Sequence, residues 1–316
     1  MLSPLEPLVT SSAGYALVIA LGLLWGSFAN VCIYRWPAGR SVVAPGSHCF
    51  ACQAPIRWYD NVPVLAWLWL GGRCRACRAP FSPRYLVVEA TTGALFGVAW
   101  WAAVVAPAMF EPFDRRLLHF AVYAAFCFVM IVISFIDLDH KLILNRVTVP
   151  SIAIFYLASF AWPERRWYDG LVGMAIGYGL PWAIGEIYYR ITRREGLGLG
   201  DGMLLALIGA LLGWRGVLVA LFGGSMIGTV IVLTAMIVAR VRGGEPPESG
   251  DPVEPPAEAA SEIAPDPVGA GSQGPQGEKP SLRHTEVPFG AFLAMAAVLY
   301  VFAEPWFHID FHLPGG

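Results

Sequence analysis

Residues 117–141 read LLHFAVYAAFCFVMIVISFIDLDHK. From Leu117 to Ile136 the run holds no Asp, Glu, Lys or Arg, and it then ends in Asp137-Leu138-Asp139-His140-Lys141. About 20 apolar residues in a helix span the hydrocarbon of a bilayer. The stretch therefore predicts a membrane helix with two carboxylates at one end. A strand reading fails, because the run shows no sustained period-2 alternation. In lipid a helix also satisfies its backbone groups within its own segment.

Seven further apolar segments accompany it, at 12–34, 86–109, 147–162, 169–189, 202–214, 216–239 and 287–304. Of 316 residues, 56% are hydrophobic and only 14% charged. The mean hydropathy is +0.57, whereas a soluble domain carries about 25% charged residues. The expected fold class is an all-α integral membrane protein of about eight transmembrane helices. Twelve Trp and eleven Tyr suit a chain with many membrane–water interfaces. A net charge of −2 supplies no basic field for a nucleic-acid partner. The start, MLSPLEPLVTSS, carries Glu6 and no basic n-region, so it is not expected to be a cleaved signal. Gly170, Gly173, Gly177 and Gly179, with Gly223, Gly224 and Gly228, are read as close-packing positions between helices rather than chemical ones.

Basic residues set the orientation. With the segments numbered in order, the loops after odd segments hold sixteen Lys and Arg and the even loops hold five. The odd loops are expected in the cytoplasm and both termini outside. Five regions follow: a first helix (1–34), a cytoplasmic insert (35–85), a membrane core (86–242), a linker (243–286), and a last helix with its tail (287–316). The linker is rich in Pro, Gly, Ala and Glu and poor in aromatics, so it is expected to be disordered.

The insert between helices one and two contains Cys49-Phe50-Ala51-Cys52 and Cys74-Arg75-Ala76-Cys77, separated by 21 residues. Two C-x2-C knuckles suit one tetrahedral structural zinc with no open position. Paired disulfides are the alternative, and a reducing cytosol disfavours them. Cys32 and Cys127 lie in apolar segments and read as packing residues; His48 reads as a surface residue rather than a fifth ligand.

Ionisable groups within membrane segments default to function. Two sites stand out: Asp137 and Asp139 at the end of segment three, and Asp201 in Gly198-Leu199-Gly200-Asp201-Gly202 at the start of segment six. Segments three and six run in opposite directions, so both sites reach the cytoplasmic side at similar depth. Two carboxylates held close cannot both ionise cheaply. The charged one can take a proton from water and the neutral one can donate to a peptide carbonyl oxygen. That is aspartyl proteolysis. Taken singly, either site also reads as a solvated loop charge or a helix N-cap. Glu186 in segment five reads either as a further intramembrane acid or as a partner of Arg190, one turn on.

An ordered set of motifs resembles the type IV prepilin peptidases, the leader peptidases with N-methyltransferase activity whose aspartyl site carries Gly-x-Gly-Asp. Gly22-Leu23-Leu24-Trp25-Gly26-Ser27-Phe28-Ala29-Asn30-Val31 and Tyr34-Arg35-Trp36-Pro37 resemble the first helix and its exit. The paired knuckles follow, with Asn61-Val62-Pro63 and Gly71-Gly72-Arg73-Cys74, then Arg84-Tyr85 and Val88-Glu89-Ala90-Thr91. Ile136-Asp137-Leu138-Asp139-His140, Gly198-Leu199-Gly200-Asp201 and Pro288-Phe289-Gly290-Ala291-Phe292-Leu293-Ala294 complete the set. The resemblance implies Asp137, not Asp139, and Asp201 as the catalytic pair. It implies a prepilin or pseudopilin precursor as substrate, cut after Gly at the cytoplasmic face of a bacterial inner membrane. It further implies methylation of the new N-terminus from S-adenosylmethionine. Four departures stand out: Arg73 replaces a Lys in a stretch associated with methyl transfer, Gln53 replaces a Gly after the first knuckle, and Leu86 and Leu144 replace Pro. A peptidase without methyl transfer, and a zinc-stapled transporter or scaffold, are the competing readings.

Overall fold

The computed structural model describes residues 6–107, 111–163, 165–193, 198–241 and 288–307; the expected linker 243–286 lies outside the described residues. The chain forms α1 (Glu6–Val9), α2 (Ser12–Arg35), α3 (Leu65–Leu70) and α4 (Arg84–Trp100), which runs on through a π turn to Val105. Then follow α5 (Phe113–His140), α6 (Asn145–Ala158), α7 (Trp167–Thr192), α8 (Leu199–Val241) and α9 (Phe289–Phe307). Among the described residues the extended pairings are two isolated bridges, His48–Pro55 and Arg73–Pro80.

Local chemistry marks the helix ends. The Gly14 N–H donates to the Ser11 hydroxyl at 3.3 Å and caps α2. The Arg166 N–H donates to Asp169 Oδ2 at 2.9 Å at the start of α7. α5 stops where Lys141 turns left-handed (φ 50°) and sends its N–H to the Asp137 carbonyl at 2.8 Å.

α5 is the central element. One apolar cluster joins it to α6, α8 and α9 through Phe126, Met130, Phe155, Leu204, Leu207 and Leu293. A second joins it to α2 and α4 through Ala29, Cys32, Val88, Val132 and Ile136. Cys32 and Cys127 are fully buried in these clusters, as packing residues should be. At the end away from Asp137, the fully buried Arg116 forms an ion pair with Glu6 of α1 and donates to the Val104 carbonyl at 2.6 Å. A buried guanidinium without such partners is strongly destabilising.

Glycine sets how closely the helices approach. A Cβ on Gly173 would lie 2.4 Å from the Gly209 carbonyl oxygen, and one on Gly177 would lie 2.4 Å from that of Leu205. Gly224 and Gly228 meet Leu293 and Phe292 of α9 in the same way, whereas Gly179 faces open space. Gly213 does something different. Its φ of 68° and ψ of −172° interrupt α8, in a region that essentially only glycine occupies. Before it, Gly209 and Leu205 pack antiparallel to Gly173 and Gly177 of α7. After it, Gly223 packs on Ala296 and Gly228 on Phe292, four residues nearer the start of α9. The second half of α8 therefore runs back toward the end from which the first half set out.

Among the described residues, four helical stretches are long and apolar enough to cross a membrane: Ser12–Arg35, Arg84–Val105, Phe113–His140 and Leu199–Val238. The expectation of about eight spans is thus met only as a mostly helical membrane protein with four such stretches. α6 has 14 residues, too few for a full crossing at 1.5 Å each, and α7 carries Asp169, Glu186 and Arg190. The position of the insert is also corrected. It follows the second helix, because the one-turn α1 precedes α2, and its knuckles flank α3.

Candidate active site

Asp137 sits in the last turn of α5 and is only 5% exposed. Its Oδ2 accepts the Ala291 N–H at 2.9 Å. Ala291 is the third residue of α9, and N–H groups in a helix's first turn have no acceptor within the helix. A carboxylate there satisfies an orphan donor and lies at the positive end of the helix dipole. The approach is close because residue 290 is glycine: a Cβ there would lie 3.0 Å from Asp137 Oδ2 and 2.9 Å from Ile143 Cδ1.

Asp201 reaches the same place from α8, in whose first turn it lies half-buried. Its N–H donates to the Gly198 carbonyl at 3.2 Å, and its carboxylate is within electrostatic range of that of Asp137. Ile143 wedges between the two turns, since a Cβ on Gly200 would lie 3.2 Å from Ile143 Cβ. Asp137, the Gly198–Gly202 turn and the start of α9 thus converge at one end of the bundle.

Asp139 is turned away. It pairs with Arg84 at the start of α4; Arg84 also donates to the Phe135 carbonyl at 2.9 Å and lies over the Phe135 ring at 5.0 Å. Glu186 accepts from Arg190 Nε at 2.8 Å, an i,i+4 pair. Residues 288–294 stand out in the sequence only by resemblance; their contact with Asp137 emerges from the fold. Direction alone could have suggested it, because segment eight starts at the end where segments three and six place their acids.

The four cysteines Cys49, Cys52, Cys74 and Cys77 form one cluster, with all four sulfurs within 4.8 Å of one another. The two knuckles fold alike. Cys49 N–H donates to Ala54 O at 2.9 Å and Gln53 N–H to Cys49 O at 2.9 Å; Cys74 N–H donates to Ala79 O at 2.8 Å and Arg78 N–H to Cys74 O at 3.0 Å. Gln53 (φ 57°) and Arg78 (φ 62°) hold matching left-handed positions. That conformation is where glycine costs least. The donor set fits a metal. A tetrahedron with metal–sulfur distances of about 2.3 Å has sulfur–sulfur edges of about 3.8 Å, and the Cys49 and Cys77 sulfurs are 3.8 Å apart. His48 is outside the cluster, its Nδ1 3.0 Å from the Gly46 carbonyl oxygen.

Fold and site together define a helical membrane protein with a carboxylate pair at one end of its bundle and a four-cysteine insert beside it. Residues 20–103 match the bacterial peptidase A24 N-terminal domain and residues 124–233 match the type IV leader peptidase family. The chain is 31% identical to the prepilin leader peptidase/N-methyltransferase of Myxococcus xanthus, over 92% of this chain and 90% of that one. It is 33% identical to the protein of that name from Aeromonas hydrophila, over 68% and 78%, and 30% identical to that from Pseudomonas aeruginosa, over 74% and 83%. No solved structure matches it. The chain belongs to the type IV leader peptidase family.

Proposed function

We propose that the chain is a bifunctional membrane enzyme: an aspartyl endopeptidase that removes the leader of a type IV prepilin or pseudopilin after Gly, and an N-methyltransferase acting on the new N-terminus. The observation that carries the peptidase reading is the convergence of the Asp137 turn and the Gly200-Asp201 turn, from helices of opposite direction, on Ile143 at one end of the bundle. Among the described residues neither carboxylate forms an ion pair with a basic side chain, so the pair can share a proton. The ionised member takes a proton from a water lying between them as it attacks the scissile carbonyl. The protonated member donates to the carbonyl oxygen, and proton return to the leaving amine completes cleavage. The Ala291 N–H holds the Asp137 carboxylate in orientation throughout.

The membrane arrangement belongs to the same proposal. Eight apolar segments cross or enter the bilayer, with α8 counted as two because the chain reverses at Gly213. The excess of Lys and Arg in the odd loops supports placing the dyad and the insert on the cytoplasmic face of a bacterial inner membrane. There a basic leader would remain in the cytosol while the substrate's apolar helix lies in the lipid. Cys49, Cys52, Cys74 and Cys77 would hold one structural zinc, which supplies a fold-closing cross-link to a module with few apolar residues. The methyl donor is S-adenosylmethionine, as the relatives' name implies.

The test is mass spectrometry of a precursor co-expressed with wild type and with Asp201→Asn. A product shortened after Gly and one methyl group heavier, absent with the mutant, supports the reading. A precursor left whole by well-expressed wild type would reject it.

A further inference from the structure

Between the two cysteine knuckles, α3 presents an apolar face to the outside of the molecule. Leu65, Leu68 and Trp69 are 65%, 58% and 85% exposed, and their i, i+3, i+4 spacing puts them on one side of the helix. On the other side Ala66, Trp67 and Leu70 line a cavity together with Asn30 of α2 and with Tyr85 and Glu89 of α4. From Asn61 to Gly72 the chain holds no Asp, Glu, Lys or Arg. A single exposed Leu is ordinary, but three large apolar side chains together on an uncharged run mark a contact surface. The chain turns at both ends of the helix, where Val64 and Gly71 hold φ 62° and Gly72 holds φ 64°. The Phe81 N–H then donates to the Gly72 carbonyl at 2.7 Å.

The depth of α3 says what covers this face. The Val64 N–H donates to Glu89 Oε2 at 2.7 Å, and Glu89 packs on α2, where a Cβ on Gly26 would lie 2.6 Å from its Cα. α2 has 24 residues, about 36 Å at 1.5 Å each, against about 30 Å of hydrocarbon. Even with all of the excess, about 6 Å, projecting at Arg35, Gly26 lies about 7 Å inside the hydrocarbon, because Arg35 is about 13.5 Å further on. The stretch Arg84–Val105 has 22 residues, and the same reckoning puts Glu89 about 4–5 Å inside. Helix side chains lean toward their own N-terminus, so the Glu89 carboxylate meets Val64 slightly shallower, at the boundary between headgroups and acyl chains. A backbone N–H at that level finds no partner in lipid, and Glu89 supplies one. Just before the uncharged run stand the exposed Arg57 and Trp58, residue types that favour the headgroup level.

We propose that α3 is an interfacial lipid anchor: its Leu65, Leu68 and Trp69 face lies against the upper acyl chains of the bilayer, and Glu89 satisfies the backbone where the chain enters. This rests on the reading that α2 and α4 cross the membrane. Interfacial helices bury their apolar face about 5–10 Å into the boundary between headgroups and acyl chains, which is the level Val64 reaches. The surface is continuous with the lipid-facing sides of α2 and α4, between which and α3 the cavity is closed. The four-cysteine insert is therefore seated on the bilayer and does not hang in water from two helix ends. Its seat is at the dyad end of the bundle, since Arg84 at the start of α4 pairs with Asp139.

The experiment places the full chain in vesicles of phosphatidylethanolamine and phosphatidylglycerol that contain a phospholipid with a diazirine in its upper acyl chain. After illumination, lipid adducts are mapped by mass spectrometry. In wild type, Leu65, Leu68 and Trp69 should carry adducts at a yield within about fivefold of that on Leu17 and Leu21, the exposed residues of α2. Residues 75–78 of the second knuckle should carry at least about tenfold fewer. The double variant Leu65→Asp, Leu68→Asp should lower the yield at 65–69 at least about fivefold, because carboxylates are expelled from acyl chains. The yield on α2 should not change, and residues 35–85 should become sensitive to limited proteolysis. Adducts on α2 with none at 65–69 in wild type would overturn the proposal, as would an unchanged yield in the double variant. Cross-links from 65–69 to a second copy or to a precursor, in place of lipid, would overturn it by giving the face to a protein partner. Absence of adducts on α2 as well would instead reject the membrane crossing of α2 on which the proposal rests.

Discussion

Asp137 and Asp139 are two residues apart on α5, yet their surroundings differ completely. Asp137 is buried against the first turn of α9, while Asp139 faces Arg84 near the surface. Asp137→Asn and Asp201→Asn should each lower cleavage by about 100-fold or more with the protein still accumulating in the membrane, because general acid–base groups contribute about 10²–10⁴; peptidase assays on quantified protein check this. Asp139→Asn should remain within about threefold of wild type, since a partly exposed ion pair is worth at most about 1 kcal/mol. Cys52→Ser should lose bound zinc by elemental analysis and make residues 35–85 sensitive to limited proteolysis, because ligand loss at a closed site is a folding loss. The choice of Asp137 over Asp139 came from resemblance and not from the residues. Both are acids at the same helix end, and only their neighbours in space tell them apart.

At the scale of elements, α9 and α8 carry the arrangement. α9 meets Asp137 with its first turn, so bulk at residue 290 should act on the carboxylate directly. Gly290→Val should cost about 1–3 kcal/mol through overpacking and reduce peptidase activity more than it reduces the melting temperature of the purified protein; an equal fall in both would mean the effect is on folding alone. Gly213→Ala should destabilise by about 1–3 kcal/mol, the cost of a side chain in this backbone region, with thermal unfolding in detergent as the measure. Apolar runs made most helices legible in the sequence, because burial in lipid demands long uncharged helical segments. The reversal within α8 was legible as well, as a break between 214 and 216, though the residue that makes it is Gly213. The helical turn α3 and the one-turn α1 were not read, since segments of six and four residues carry too little periodicity to recognise.

The whole molecule is organised by α5, which packs on α2 and α4 along one side and on α6, α8 and α9 along the other. The two family matches divide along the same line, 20–103 and 124–233, and Arg84–Asp139 bridges them at the Asp137 end. By itself the sequence determined the membrane class, the apolar runs that become the long helices, the pairing of the cysteines into two knuckles and the acids at the helix ends. Each of these follows from local composition or spacing, because hydrophobic run length, charge bias and ligand intervals are properties of contiguous chain. Only the tertiary structure decided that Asp137 is anchored by the Ala291 N–H, that Ile143 packs between Gly200 and Gly290, and that Glu89 closes a cavity beside Trp67. These are contacts between residues tens to more than a hundred and fifty positions apart. They depend on how closely glycine-faced helices approach, which no single stretch of the chain specifies.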